Sequence, residues 1–301
     1  MTNIDVLRHL RCPVCGLGLT ANEATPGVRC PRGHSFDVAR QGYVNLLTGR
    51  APHAGDSVEM VTAREEFLTA GHYDLISAAL AEAALAEEAT AQVGAAHSTP
   101  DDMTPAGRTP YAPLVVDAGA GTGRHLAAVL DALPAAVGLA LDVSKPALRR
   151  AARAHPRASA ALADTWRPLP LADASVAVLL NVFAPRNGPE FRRVLRPDGA
   201  LLVVTPAADH LTELVGQLDL LRVDPDKADR VAGSLGQHFE PVRESAHGGE
   251  LRLTRQEVHT LVGMGPSAWH TDPGRLADRI AALPEPVTVT ASVRLAVYRP
   301  R

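Results

Sequence analysis

Three cysteines and one histidine near the N-terminus carry the most specific chemistry in this chain. They read Cys12-Pro13-Val14-Cys15 and Cys30-Pro31-Arg32-Gly33-His34, and the chain has 3 cysteines in all. Zinc takes four thiolate or imidazole ligands at the corners of a tetrahedron, and two tight turns can aim them at one point. Cys12, Cys15, Cys30 and His34 are therefore read as the ligands of one Zn2+ in a ribbon of two knuckles. The plainer alternative is three unrelated thiols in a reducing compartment, which gives no reason for a repeated Cys-Pro turn.

A second constellation is Val115-Val116-Asp117-Ala118-Gly119-Ala120-Gly121-Thr122-Gly123. Its three glycines let a strand turn sharply into a helix and bring backbone close to a ligand. The spacing is D-x-G-x-G-x-G, not the G-x-G-x-x-G of dinucleotide sites, and an acid stands at the strand end. An acid there suits S-adenosyl-L-methionine, whose sulfonium and ammonium groups are cationic. Asp142 ends the next apolar run, 19 residues past Gly123, where nucleotide-binding folds place a carboxylate on ribose hydroxyls. Asp164 closes the third run, in reach of an adenine amino group. Helix capping by Asp accounts for any one of these acids but poorly for all three.

These residues need elements to hold them. Apolar runs at 114–118, 137–141, 159–163, 175–181 and 199–205 alternate with helical patterns near 123–132, 145–154, 187–195 and 207–221. Such alternation predicts βαβ units, a parallel sheet and helices on both faces. A strand near 239–247, helices near 254–263 and 273–282, and a β-rich segment at 287–298 are expected to complete the sheet with an antiparallel edge. The expected fold is α/β: a class I S-adenosylmethionine-dependent methyltransferase, Rossmann-like, with a mostly parallel seven-stranded sheet and a small N-terminal zinc ribbon. Three regions follow: the ribbon at 1–50, a helical connector with a flexible linker at 51–113, and the donor-binding domain at 114–301. Within the connector, Met60, Val61, Arg64, Phe67 and Leu68 recur at helical steps. Residues 94–113 hold prolines and no periodicity, and read as a solvated loop.

Composition sets the remaining bounds. A chain of 301 residues with 46% hydrophobic content buries a full α/β core with room for a small extra domain. Its formal charge of −3 excludes a polycation, yet Arg8, Arg11, Arg29, Arg32, Arg40 and Arg50 outnumber Asp5, Glu23 and Asp37 in the first fifty residues. The N-terminal sequence shows neither a signal peptide nor a membrane span, and a cytoplasmic home is expected.

The Cys12-to-Leu47 stretch, Gly55-Asp56-Ser57-Val58-Glu59-Met60, Gly71-His72-Tyr73, Leu141-Asp142-Val143-Ser144-Lys145 and Gly265-Pro266-Ser267-Ala268-Trp269 together carry a resemblance. The chain resembles the bacterial 23S rRNA guanine-N1 methyltransferases that act on hairpin 35. Asn181-Val182-Phe183-Ala184-Pro185-Arg186-Asn187 and the arginine run from Arg149 to Pro156 bring it nearest to the tylosin-resistance type. The resemblance implies methylation of guanine 748 instead of guanine 745, a 23S rRNA partner, no membrane and a homodimer. It also implies that Tyr73, Gly121, Thr122 and His210 touch S-adenosylmethionine, with Thr122 standing where some relatives have Glu, and that Cys12, Cys15, Cys30 and His34 hold zinc.

Methyl transfer from a sulfonium is an in-line displacement that needs two positioned reactants. Guanine N1 must lose its proton, by a general base or with donors on O6 that favour the anion. No residue is assigned as the base. After the fourth strand, Asn181, Phe183 and Arg186 are the candidates: Phe183 to stack on the base, Asn181 or Arg186 to meet its O6 edge. A core position for Phe183 is the competing reading. The ribbon arginines and the run Lys145, Arg149, Arg150, Arg153, Arg157 are candidate phosphate contacts, a solvated helix face being the more common reading of the second run.

Overall fold

A computed structural model describes residues 3–22, 25–49, 55–97, 112–218, 233, 235–265 and 272–301, with 93–97 as backbone alone. Most of the proline-containing loop at 94–113 and the segment 266–269 lie outside these residues.

The ribbon region begins with a short helix, α1 (Ile4–Leu7), then β1 (Thr20–Ala21), β2 (Gly27–Arg29) and β3 (Ser35–Asp37), which pair antiparallel as a small sheet. Strands this short cannot hold themselves together by ladder bonds alone. Strand β4 (Val44–Asn45) leaves the ribbon and joins the main sheet instead. Two helices follow, α2 (Val58–Thr69) and α3 (Asp74–His97). Ser57 caps α2, and Gly71, at φ 86, turns the chain out of it into Tyr73.

The main sheet contains β5 (Leu114–Ala118), β6 (Val137–Asp142), β7 (Ala158–Leu162), β8 (Val176–Val182), β9 (Leu195–Pro206), β10 (Phe239–Leu253) and β11 (Val287–Pro300). Every residue of β5 and β8 is buried, as expected of strands covered on both faces. Strand order is β10-β11-β9-β8-β5-β6-β7-β4. Strands β5 through β9 and β4 pair parallel. The expected seven-stranded sheet is thus present, extended by β4 as a two-residue eighth strand.

One expectation differs in detail. The antiparallel strand is β11, which lies between β9 and β10; the edge strand β10 runs in the direction of the central strands. The reason is that β10 and β11 form a long hairpin-like pair, and β11 is the member that reaches β9. The connecting helices are α4 (Arg124–Ala132), α5 (Lys145–Ala151), α6 (Gly188–Val194), α7 (Thr212–Leu218), α8 (Arg255–Gly263) and α9 (Pro273–Ala281). No helix among the described residues is long and apolar enough to cross a membrane.

Two apolar layers flank the sheet. One joins α2, α3, α4 and the tail helices to the sheet through residues such as Phe67, Leu80 and Leu130. The other includes the ribbon: Val6, Leu7, Leu10, Leu19 and Val28 share a layer with Val116, Leu139 and Leu171. Burying each of these side chains contributes about 1.5–3 kcal/mol. Backbone bonds fix the same contact, from Arg11 N–H to Pro170 O at 2.9 Å and from Ala172 N–H to His9 O at 2.9 Å. The ribbon is therefore seated on the α/β body and not tethered beside it.

Candidate functional site

The metal-ligating residues meet in one place. The ligand atoms of Cys12, Cys15, Cys30 and His34 all lie within 4.8 Å of one another. Cys15 Sγ is 3.6 Å from Cys30 Sγ, and His34 Nδ1 is 3.5 Å from Cys12 Sγ and 3.3 Å from Cys30 Sγ. A tetrahedron with Zn–S near 2.3 Å has edges of about 3.7 Å, so this donor set fits zinc. Local backbone explains the convergence. Gly16 N–H donates to Cys12 O at 2.8 Å, Gly33 N–H donates to Cys30 O at 3.0 Å, and both glycines have the left-handed φ that closes such a turn (73° and 85°).

The second constellation gathers at the C-terminal edge of the parallel strands, beside the β5–β8 point where strand order reverses, the usual ligand crevice of such sheets. Gly119 N–H and Ala120 N–H both donate to Leu141 O, at 2.8 and 3.0 Å, which ties the loop to β6. Gly119 has φ 87°, and a side chain there would bring its Cβ to 2.5 Å from the Ala184 Cβ. Gly121, at φ 54°, gives its N–H to Asp142 Oδ2 at 2.9 Å. Gly123 lets α4 pack on α5, since a Cβ would lie 3.0 Å from the Ala151 backbone. Thr122 is buried at the start of α4.

The three acids differ in environment. Asp142 accepts from Gly121 N–H and, at 2.8 Å, from Ser144 N–H. Burial raises its pKa while these two bonds oppose the shift. Asp164 Oδ1 accepts from Trp166 N–H at 3.0 Å; its Oδ2 is buried without a hydrogen bond, and Arg167 Nε is 3.5 Å away. Asp117 is buried and its Oδ1 has no partner. Burial first, and the neighbouring Asp142 second, push its pKa up to about 8. Orphaned acid oxygens beside a bare glycine turn fit a ligand with cationic groups and hydroxyls, as S-adenosylmethionine has.

Below pH 8 Asp117 of the free protein holds its proton, and a cation set beside it draws the group toward carboxylate. Donor binding is then expected to release a proton and to tighten as pH rises from 6 to 8. Calorimetry in two buffers of different ionisation enthalpy measures that release; no difference between buffers removes Asp117 from the cation's neighbourhood.

Tyr73 and His210 come together from distant parts of the chain. Tyr73 Oη lies 3.2 Å from His210 Nε2, and both are buried. Ser292 N–H donates to His210 Nδ1 at 3.1 Å. Burial lowers the His210 pKa, so the ring is neutral with its proton on Nε2. That proton goes to Tyr73 Oη and leaves the tyrosine hydroxyl proton free for a ligand. Phe183 completes an aromatic cluster, its ring centroid 6.4 Å from Tyr73 and 6.1 Å from His210.

Phe183 is 40% exposed, which removes the core reading. It also holds φ 51°, a conformation disfavoured for an aromatic residue and concentrated at functional sites. Asn181 lies behind it, fully buried. Its Nδ2 donates to Ala118 O at 3.1 Å and to Pro185 O at 2.9 Å, clamping the 182–185 turn to the end of β5. Asn181 therefore acts on the loop; its Oδ1 is buried and unpartnered. Arg186 is partly buried, its Nε has no partner among the described residues, and desolvation lowers its pKa.

Sequence reading missed Arg64. This α2 residue pairs with Asp56, donates from Nη2 to Met264 O at 2.8 Å, and lies against Gly121. The signal was visible: an arginine within the apolar stripe of Met60, Val61, Phe67 and Leu68. Two arginines of the basic run are also otherwise engaged. Arg157 donates to the carbonyls of Leu130, Leu133 and Ala136, and Arg150 Nε pairs with Glu65 at 2.6 Å.

Comparison with known proteins adds the following. The family model described as "RlmA, N-terminal" matches residues 10–51, and one described as "Methyltransferase domain" matches residues 115–199. A protein of Micromonospora griseorubida, provisionally named a 23S rRNA (guanine-N(1)-)-methyltransferase, is 70% identical over 298 residues, 98% of this chain and 99% of that one. The 23S rRNA (guanine(748)-N(1))-methyltransferase of Streptomyces fradiae is 51% identical over 296 residues, 98% of both chains.

Proposed function

This chain belongs to the 23S rRNA (guanine-N1)-methyltransferase family, and on that premise we propose that it methylates N1 of guanine 748 in hairpin 35 of 23S rRNA, with S-adenosylmethionine as donor. The observation that carries the reading is the 51% identity, end to end, with the Streptomyces fradiae enzyme named for that atom. By the same reading the modified ribosome resists tylosin-type macrolides, the enzyme works in the cytoplasm where ribosomes are, and a homodimer widens the RNA cleft. Residues 1–50 serve RNA recognition, 51–113 connect, and 114–301 bind the donor.

When bound, the donor supplies an electrophilic methyl on a positive sulfur. Transfer would join that carbon to guanine N1 in place of sulfur, with loss of the N1 proton. The chain's own contribution is placement. Asp142 holds ribose hydroxyls, Asp117 offsets the donor's positive charge, and Asp164 meets the adenine edge. Gly119, Gly121, Thr122 and Gly123 supply the backbone cradle. Tyr73, primed by His210, gives its hydroxyl proton to the methionine end. Phe183 offers its exposed face to the target base and Arg186 its guanidinium to O6, with Asn181 fixing both through the loop.

Two substitutions separate these roles. Asp142→Ala is expected to weaken donor binding by about 1–3 kcal/mol, the scale of a lost bond to a charged group; an unchanged titration rejects the ribose assignment. Phe183→Ala is expected to lower kcat/KM for RNA by roughly 5- to 150-fold, as loss of one base–aromatic stack costs about 1–3 kcal/mol. Its donor Kd should stay constant, and Phe183→Tyr should restore activity. Loss of donor binding in Phe183→Ala would instead place the ring in the donor site.

The site assignment is tested with hairpin 35 RNA and labelled donor. Guanine-to-adenine exchange at 748 should abolish incorporation, and the same exchange at 745 should leave it. The opposite pattern overturns the choice of guanine.

A further inference from the structure

Residues 143–163 contain Lys145, Arg149, Arg150, Arg153 and Arg157 and no Asp or Glu. A helix face that is merely solvated usually interleaves charges of both signs; this one does not. The fold also sorts the five cations. Arg150 is neutralised by Glu65, and Arg157 is spent on carbonyls at the end of α4. Lys145, Arg149 and Arg153 are exposed, and their side chains have no ion pair or hydrogen bond among the described residues. They recur every four residues, about 6 Å apart along the axis, and so share one face of α5 and of the turn that follows it.

Two contacts fix where this row begins and ends. Lys145 follows Ser144, whose N–H is bound to Asp142 Oδ1 in the donor site. At the other end, the ribbon's 39–43 turn rests on α5, with a Cβ built on Gly42 lying 3.6 Å from the Ala152 Cβ. Arg40 sits in that turn, exposed and unpartnered. The ribbon's other described arginines sort the same way, Arg50 lying outside the described residues. Arg8 pairs with Asp5 and Arg11 bonds to carbonyls, while Arg29 and Arg32 are exposed.

We propose that Arg40, Arg153, Arg149 and Lys145 form one continuous track for a sugar–phosphate backbone, running from the zinc ribbon along α5 to the mouth of the donor site. This rests on the rRNA reading above and adds the path by which the strand is led to the cofactor. A membrane surface fits less well, because the apolar residues of α5 (Ala147, Leu148, Ala151) face inward and are buried. Each phosphate neutralised releases counterions and contributes roughly 0.7–0.9 to the slope of log affinity against log salt.

The test uses the full chain, a hairpin 35 RNA and the triple variant Lys145→Gln, Arg149→Gln, Arg153→Gln, with Arg150→Gln as the control. The triple variant should raise the RNA Kd on the order of 10- to 100-fold at physiological salt and lower the salt slope by about 2 to 3. It should bind S-adenosylmethionine as the unaltered chain does and methylate the same nucleotide at saturating RNA. Arg150→Gln should change neither slope nor Kd. An unchanged slope in the triple variant overturns the track while the unaltered chain still methylates the RNA. Failure of the unaltered chain to methylate the RNA overturns the rRNA reading itself, and the track with it.

Discussion

Cys30→Ser is expected to release zinc and to cut methylation of 23S rRNA on the order of 100-fold or more, while the Kd for S-adenosylmethionine stays within about twofold. The ribbon is too small to fold without its metal. Its three strands hold 2, 3 and 3 residues, too little ladder to survive alone, and structural zinc supplies about 10–16 kcal/mol of folding free energy in small domains. Cys30 is the pivotal ligand because its Sγ lies within 3.6 Å of both Cys15 Sγ and His34 Nδ1, and its backbone closes the second knuckle. The donor loop is held by its own backbone bonds, from Gly119 N–H and Ala120 N–H to Leu141 O, and these include no zinc ligand. Metal release with a chromogenic chelator, RNA methylation and donor calorimetry on one preparation give the three readouts. Full methylation by a zinc-free protein contradicts the ribbon's role.

Gly119→Ala is the second large effect. At φ 87° any side chain is strained, at a cost of about 1–3 kcal/mol. The new Cβ also meets the Ala184 Cβ at 2.5 Å, so the 182–185 turn must move, and with it Phe183 and the Asn181 bonds. Donor Kd should rise by roughly 10- to 100-fold and RNA methylation should fall at least as far. Gly249→Ala, where a Cβ meets nothing within 4 Å, is the matched control and should behave as the unaltered chain. Equal donor affinity in both variants removes the glycine turn from the donor site.

What the sequence revealed and what it concealed divide along contact range. The zinc set was legible because each knuckle is a local turn, with both pairs of ligands three or four residues apart. The Asp117–Gly123 loop was legible for the same reason, and the sheet because apolar runs alternate with helical ones. The partners of Arg64 were not: Asp56 is eight residues away and Met264 is 200. Nor was the division of the basic run into spent and free side chains, since Arg157 is consumed by carbonyls of a neighbouring helix. Asn181 looked like a base contact by residue type, yet full burial gives it a clamp's geometry. The placement of β11 inside β10 required β11 to pair with β9, Val293 opposite Pro206 and so 87 residues away in the chain, which periodicity cannot report.

The most direct test of the account is reverse transcription on deproteinised 23S rRNA treated with the protein and S-adenosylmethionine. A methyl on N1 blocks the pairing edge of guanine, so the polymerase halts one nucleotide before it. A single new halt is expected immediately 3′ of guanine 748, dependent on both protein and donor. No new halt, or one at another nucleotide, contradicts it.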